Sequence, residues 1–204
     1  MSEINIAFGV VILGAGASRR MGTCKLLLPW GNGSILQHLL AQWKDVGITQ
    51  IAPVVNPANL PLRHALQAVG FSSALWIENY EPDRGMFSSL QEAARWGGWE
   101  KSLTHWIVSL GDQPQIRNST LHELLAFAKK NPTKICQPEF EGRGAHPIIL
   151  PVIEFHALAQ THVSDFRTFI RERESLRLRM AVDDPGVLGD LDTPEDYERW
   201  KVQI

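Results

Sequence analysis

Cysteine is nearly absent: Cys24 and Cys136 stand far apart in a chain of 204 residues, and neither belongs to a CxxC pair. A disulfide framework or a zinc site is therefore not expected, and two free thiols fit a reducing, cytoplasmic setting. A surplus of one charge is absent too. Lys and Arg number 20 against 22 Asp and Glu, for a formal net charge of -2. The totals hold no basic footprint of the kind that neutralises a nucleic-acid backbone, so nucleic acid is not an expected partner. A small anion site needs only a few focused cations and is compatible with that balance. Long apolar runs are also missing. The N-terminal stretch MSEINIAFGVVILGAG has no positively charged leading segment and runs into glycines, so it reads as a buried strand and not as a leader or a membrane span. With no repeat, low-complexity tract or shift of composition, one domain over residues 1–204 is expected. That length can bury a core without disulfides or structural metal.

What is present is alternation. Ile6 to Leu13 is a β-branched run, Gln50 to Val55 and His105 to Leu110 are similar, and Ser73 to Ile77, Thr133 to Gln137, His146 to Leu150 and Arg177 to Val182 are shorter strand candidates. Helical spacing occupies the intervals. Ser34 can cap a helix with an apolar stripe from Ile35 to Val46, closed by Gly47; Pro61 to Val69, Ser88 to Trp96, Ser119 to Lys129, Ser164 to Arg173 and Thr193 to Trp200 follow. Strands alternating with helices predict an α/β fold with a doubly wound, mostly parallel, Rossmann-like sheet. Ligands of such sheets lie outside the carboxyl ends of the strands. Functional residues should therefore follow strands directly.

The segment GAGASRRMGTCK, Gly14 to Lys25, does so. Glycines let backbone N–H groups approach a phosphate and form an anion-binding concavity. Arg19, Arg20 and Lys25 add positive charge in the same stretch. It is not a P-loop, because no Gly-Lys-Ser/Thr occurs. Nor is it a dinucleotide fingerprint: Arg19 stands where the third glycine belongs, and no acid follows the second strand to hold a ribose. A nicotinamide oxidoreductase is thereby disfavoured.

Asp112, in SLGDQP, follows the strand ending at Leu110. A carboxylate there can hold Mg²⁺ against phosphate oxygens. Near the C-terminus, GDLDTPEDYERW holds a capping pattern of Thr193, Pro194 and Asp196, which gives Glu195 and Asp196 structural reasons. Asp192 could support that cap or the metal, whereas Asp190 has no structural explanation. Asp183 and Asp184 precede a Pro-Gly turn and are expected to be solvated. Ser88 and Ser89 open a helix and can offer donors to an anion or a polar base edge, or simply cap it.

Taken together, L-x-A-G-x-S-x-R-M-G-x-x-K-L-L resembles the signature loop of the sugar-nucleotide and cofactor nucleotidyltransferases, and most of all the MobA-like group with its molybdenum cofactor cytidylyl- and guanylyltransferases. The resemblance covers nearly the whole chain. It implies that the loop Leu13, Gly14, Ala15, Gly16 binds the nucleotide. It further implies that Arg20 stabilises the β- and γ-phosphates and Lys25 neutralises charge at the reacting α-phosphate. The sequence departs at Gly14, where the family more often has Ala, and the extra glycine is expected to loosen the turn slightly without abolishing binding. Asp112 matches the Gly-Asp-x-Pro aspartate, which binds metal, and Asp190 matches the first acid of Asp-x-Asp-Thr-Pro-Glu-Asp, which supplies a second metal contact. Asn79 to Leu90 matches an element that helps hold base and ribose, with Ser89 as the counterpart. Gly144, Ala145, His146, Pro147 is similar to a Gly-His-Pro element with one residue inserted, which places His146 in an acceptor pocket.

The resemblance implies transfer of a nucleoside monophosphate from an NTP to a phosphorylated acceptor with Mg²⁺. Ala15 matches the CTP form of the loop, so CTP is the expected donor and molybdopterin the expected acceptor, with a molybdoenzyme as a possible partner. A sugar 1-phosphate is the alternative acceptor. A non-catalytic NTP-binding carrier is the rival of a different class, against which Arg20, Lys25, Asp112 and Asp190 all speak.

Overall fold

The opening β-branched run forms β1 (Phe8–Leu13), which takes a central place in the sheet. The computed structural model describes residues 6–16 and 20–201. After β1 come a small hairpin of β2 (Pro29–Trp30) and β3 (Gly33–Ser34), then α1 (Ile35–Asp45), β4 (Gln50–Val55), α2 (Leu60–Ala68), β5 (Ile77–Glu78), α3 (Met86–Arg95), β6 (His105–Leu110) and α4 (Asn118–Lys130). The last third holds β7 (Ile135–Phe140), β8 (Arg143–Gly144), β9 (Ile148–Pro151), α5 (Val152–Ala157), α6 (Phe166–Arg171), β10 (Arg177–Ala181) and α7 (Pro194–Lys201).

The sheet order is β10-β7-β9-β6-β1-β4-β5, with β8 paired to β7. Within it only β9 and β8 run against the others; β1 pairs in parallel with both β4 and β6. Successive side chains of a strand face opposite sides, and both sides are apolar here. Val10 and Ile12 pack with α1, α2 and α4 on one face, while Val11 packs with α3, α5 and α6 on the other. The fold is thus the doubly wound α/β arrangement that the alternation predicts.

Local signals explain the ends of the helices. Ser34 and Gln37 form a reciprocal capping box at the start of α1, worth about 0.5–2 kcal/mol. Ile35, Leu36, Leu39, Leu40 and Trp43 are its buried stripe. The Trp43 indole donates to Ser109 Oγ across 3.2 Å, which satisfies its polar atom inside the core. Asp165 caps α6 by accepting from the Thr168 amide.

Several elements differ from expectation, among them the β2–β3 hairpin and β8, which were not expected as strands. Ser73 to Ile77 is a 3-10 turn (Ser73–Leu75) followed by the two-residue β5, which sits at the sheet margin and pairs only with Val54 and Val55. The strand expected from His146 starts at Ile148, after a Pro147 that carries no N–H for a ladder. The strand expected over Thr133 to Gln137 runs instead from Ile135 to Phe140, in register with β10. Helix α5 was not expected, because it follows β9 with no glycine or polar break.

Candidate active site

Register aligns the carboxyl ends of the central strands. Leu13 of β1 sits beside Val54 of β4 and Leu110 of β6. The ladder continues one residue past each end, with Gly14 N–H donating to Val54 O at 3.0 Å and Gly111 N–H to Leu13 O at 3.1 Å. Gly111 is required by close approach, and Gly14 sits in a tight space. A Cβ on Gly111 would lie 2.5 Å from Leu13 O, and one on Gly14 would lie 2.6 Å from Leu26 Cδ1 and 3.1 Å from Val54 O. The expected loosening at Gly14 is therefore corrected. Leu26 and the β4 backbone fill the space that an alanine methyl would take, so the residue is tightly packed.

Beyond these ends lies a cleft of about 570 Å³, a size suited to a nucleotide-scale ligand. Leu13, Gly14, Ala15 and Gly16 form one wall, and Arg20 and Lys25 project from the segment that follows. Asp112 enters after β6, Ser89 from the first turn of α3, and Asp190 and Asp192 from the loop before α7. The structure thus gathers nearly every sequence-derived site residue in one place. Arg19 lies outside the described residues. His146 does not line the cleft: its Nδ1–H donates to Val108 O at 3.3 Å, and its ring packs on Phe166. Asp83, Gly85 and Met86 also line the wall. The Gly-Met pair falls within the Asn79 to Leu90 element noted in the sequence, but nothing in the sequence singled out Asp83.

Lys25 is the electrostatic hub. Its Nζ donates to Asp112 Oδ2 at 2.9 Å and Asp192 Oδ1 at 2.7 Å, and Arg20 pairs with the other Asp192 oxygen at 3.0 Å. Burial favours the neutral amine, but the bonds to Asp192 and Asp112 and their charges outweigh it, so the ammonium is held above its ordinary pKa. Asp192 is held below the usual carboxylate range, chiefly by its bond from Lys25. Asp190 is pushed the other way, first by burial and then by the charge of Asp112. Its Oδ1 accepts from Gln113 Nε2 at 3.0 Å. The cap of α7 is made by Thr193 and Asp196, reciprocally, so Asp192 is not needed for it and faces the cations instead.

Asp184, expected to be solvated, is buried. It accepts from the Arg117 amide, Thr120 Oγ1 and the Gly186 amide, which together compensate the carboxylate for lost water. On the other side of the cleft, Asn79 Nδ2 donates to Ser88 Oγ at 2.8 Å and Ser89 Oγ at 2.9 Å, fixing the start of α3.

Among the described residues, no group of three His, Cys, Asp or Glu side chains converges as a ready metal cage. Two carboxylates facing one cleft nevertheless fit Mg²⁺, which keeps several waters and shares its remaining positions with phosphate oxygens. Burial first, and then the charge of Asp112, push the Asp190 carboxyl up, and a cation shared by the two carboxylates would offset both.

Comparison with known proteins agrees with this geometry. The MobA-like NTP transferase domain family matches residues 10–177. The chain belongs to that family. It is 25% identical to the molybdenum cofactor cytidylyltransferase of Escherichia coli (strain K12), over 94% of each chain. The solved structure of Rv0371c from Mycobacterium tuberculosis H37Rv superposes with a TM-score of 0.77 at 26% identity, covering 98% of this chain and all of that one. A structure of Rv0371c in complex with manganese superposes with a TM-score of 0.70 at 22% identity, covering 98% and 100% of the two chains. The fold is that of the nucleotide-diphospho-sugar transferases, and this MobA-like chain is a nucleotidyltransferase by family. Among the described residues, no helix is long and apolar enough to cross a membrane.

Proposed function

We propose that this chain transfers CMP from CTP to a phosphorylated acceptor, molybdopterin, with release of pyrophosphate. The observation that carries the reading is the placement of Lys25 at the junction of the Gly-rich loop, Asp112 and Asp192, inside one cleft. The choice of CTP is supported by Ala15 in the loop and by the likeness to the Escherichia coli cytidylyltransferase. Molybdopterin as acceptor is supported by the same likeness.

Phosphoryl and nucleotidyl transfers ask the protein mainly to position partners and to stabilise charge. Here the amides of Ala15 and Gly16 would cradle the triphosphate, and Arg20 would sit against its outer phosphates. An oxygen of the acceptor phosphate forms the new bond to the α-phosphorus. The bond from that phosphorus to the bridging oxygen breaks, and its electron pair leaves with pyrophosphate. Lys25 would lie against the α-phosphate oxygens, where negative charge builds. No general base is required, because a phosphate monoester is already ionised near neutral pH. A divalent cation held by Asp112 and Asp190 would supply further charge neutralisation on the phosphate oxygens. Magnesium is the proposed ion, and the manganese complex of Rv0371c is in keeping with a divalent one. Ser89, locked by Asn79, would meet the ribose or base.

The test is pyrophosphate release by the purified chain with Mg²⁺ and each of CTP, GTP, ATP and UTP, with and without molybdopterin and with a sugar 1-phosphate as a second acceptor. Release that needs both CTP and molybdopterin is the expected result. Release with the sugar phosphate alone moves the acceptor assignment. NTP binding without release under any combination overturns the enzymatic reading in favour of a carrier.

A further inference from the structure

The loop after β6 and the loop before α7 are joined by a seam of side-chain amides. Gln115 Nε2 donates to Gly186 O at 2.8 Å and Gly189 O at 2.5 Å. Gln113, two residues earlier and 4% exposed, donates from Nε2 to Val187 O at 3.2 Å and Asp190 Oδ1 at 3.0 Å. The Leu191 amide closes the seam on Asp112 O at 3.1 Å. Of these contacts, only the one from Gln113 ends on a side chain that faces the cleft.

Chemistry fixes the way the Gln113 amide points. A carbonyl and a carboxylate both accept, so the NH₂ must face them and the oxygen must face away. That oxygen is buried with no hydrogen-bond partner among the described residues. A buried unpaired oxygen is costly, and an apolar residue of the same length would avoid it. The cost makes sense where the two acceptors need a donor more than the core needs an apolar group. Gln115 has the same geometry and the same unpaired buried oxygen, but both of its acceptors are backbone. The molecule therefore carries its own control.

We propose that Gln113 is a positioning residue that fixes the Asp190 carboxylate for a divalent cation, an assignment that rests on the metal reading of Asp190 above. Groups that orient ligands from behind typically contribute about 10–100-fold to metal affinity.

The experiment is a titration of Mn²⁺ against the full chain, followed by electron paramagnetic resonance of the free ion, with and without CTP, on Gln113→Met, Gln115→Met and Asp190→Asn. The expected result is a loss of about 10–100-fold in Mn²⁺ affinity for Gln113→Met, less than about twofold for Gln115→Met, and similar falls in melting temperature for the two. Unchanged affinity in Gln113→Met alongside weakened binding in Asp190→Asn overturns the positioning role and leaves the metal reading standing. Equal weakening in both glutamine variants overturns it as well, because the seam alone would then account for the loss. Unchanged affinity in Asp190→Asn removes the metal reading and this inference with it. If Gln113→Met loses the folded state by circular dichroism, Gln113→Asn, which keeps the amide but withdraws it by one methylene, is read in the same way.

Discussion

The two ends of β6 show opposite solutions. At its N-terminal end Trp106 lies flat on Phe155, with ring centroids 4.6 Å apart and planes 1° apart, and Trp99 meets both edge-on. The packing there is almost wholly apolar, although the Trp106 indole N–H is buried with no partner among the described residues. His105 is held between Thr104 Oγ1 and Pro132 O. At the C-terminal end, Asp112 and Asp192 close on Lys25, Asp190 lines the same cleft, and glycines replace side chains so that loops can approach. One end of the strand maximises contact. The other gathers two cations and three carboxylates at a cleft wall, where they can trade partners with a charged ligand. In open α/β sheets this division places chemistry on the carboxyl side and leaves stability to the other.

Substitutions at the two ends should separate accordingly. Phe155→Ala removes a fully buried ring and is expected to cost about 3–5 kcal/mol of stability, while folded protein keeps its transfer rate; denaturant unfolding and pyrophosphate release measure the two effects. A large loss of activity in the folded fraction would erase the contrast. Lys25→Met should do the reverse. Losing a donor aimed at developing charge costs on the order of 10²–10³ in kcat, and the unfolding midpoint should move less than in Phe155→Ala, because the partners left behind, Asp112 and Asp192, are 25% and 37% exposed and can be solvated. Activity within about tenfold of the parent would remove Lys25 from the reacting centre.

The smallest expected effect concerns pH, and it belongs to the structural side. His38, His105 and His146 are all held below the ordinary imidazole value by burial. Below about pH 6.5 the unfolded chain binds protons that the folded chain refuses, so stability falls as pH drops through that value and is fully present above it. Unfolding midpoints at pH 7.5 and 5.5 should show the decline, and His105→Asn should flatten it. A flat profile in the parent would contradict the assignment of these rings as neutral core groups.

Legibility in the sequence followed the range of the interactions. The bounds of β4 and β6 were readable to the residue, because strands covered on both faces read as mostly apolar runs. The Ser34 cap was readable because its partner is three residues away. That Arg20, Lys25, Asp112 and Asp190 line one cleft was readable, because each follows a strand or matches a motif. The burial of Asp184 and the pairing of Lys25 with Asp192 were not, since their partners lie 64–67 and 167 residues away. Asp192 was undecided between a cap and the cleft for the same reason. The Gln-Pro-Gln run after Asp112 was visible, but nothing local says that two alternating amides will meet Val187, Gly186 and Gly189. His146 was suggested for an acceptor pocket by motif likeness alone, and its contacts with the carbonyl of Val108 and the ring of Phe166 were not readable.

The seam between residues 112–117 and 184–191 also has a consequence in time. Its hydrogen bonds span from 67 positions, Arg117 to Asp184, to 79, Asp112 to Leu191, and the bond from Lys25 to Asp192 spans 167. Contacts of such separation reward the chain only after long loops have closed, so they form late. During synthesis β1, α1 and β4 can associate while the acids of the C-terminal loop are still unmade. The cleft is thus completed by a segment made after every described strand of the sheet, and a chain halted before Asp190 would own those strands without the finished charge arrangement.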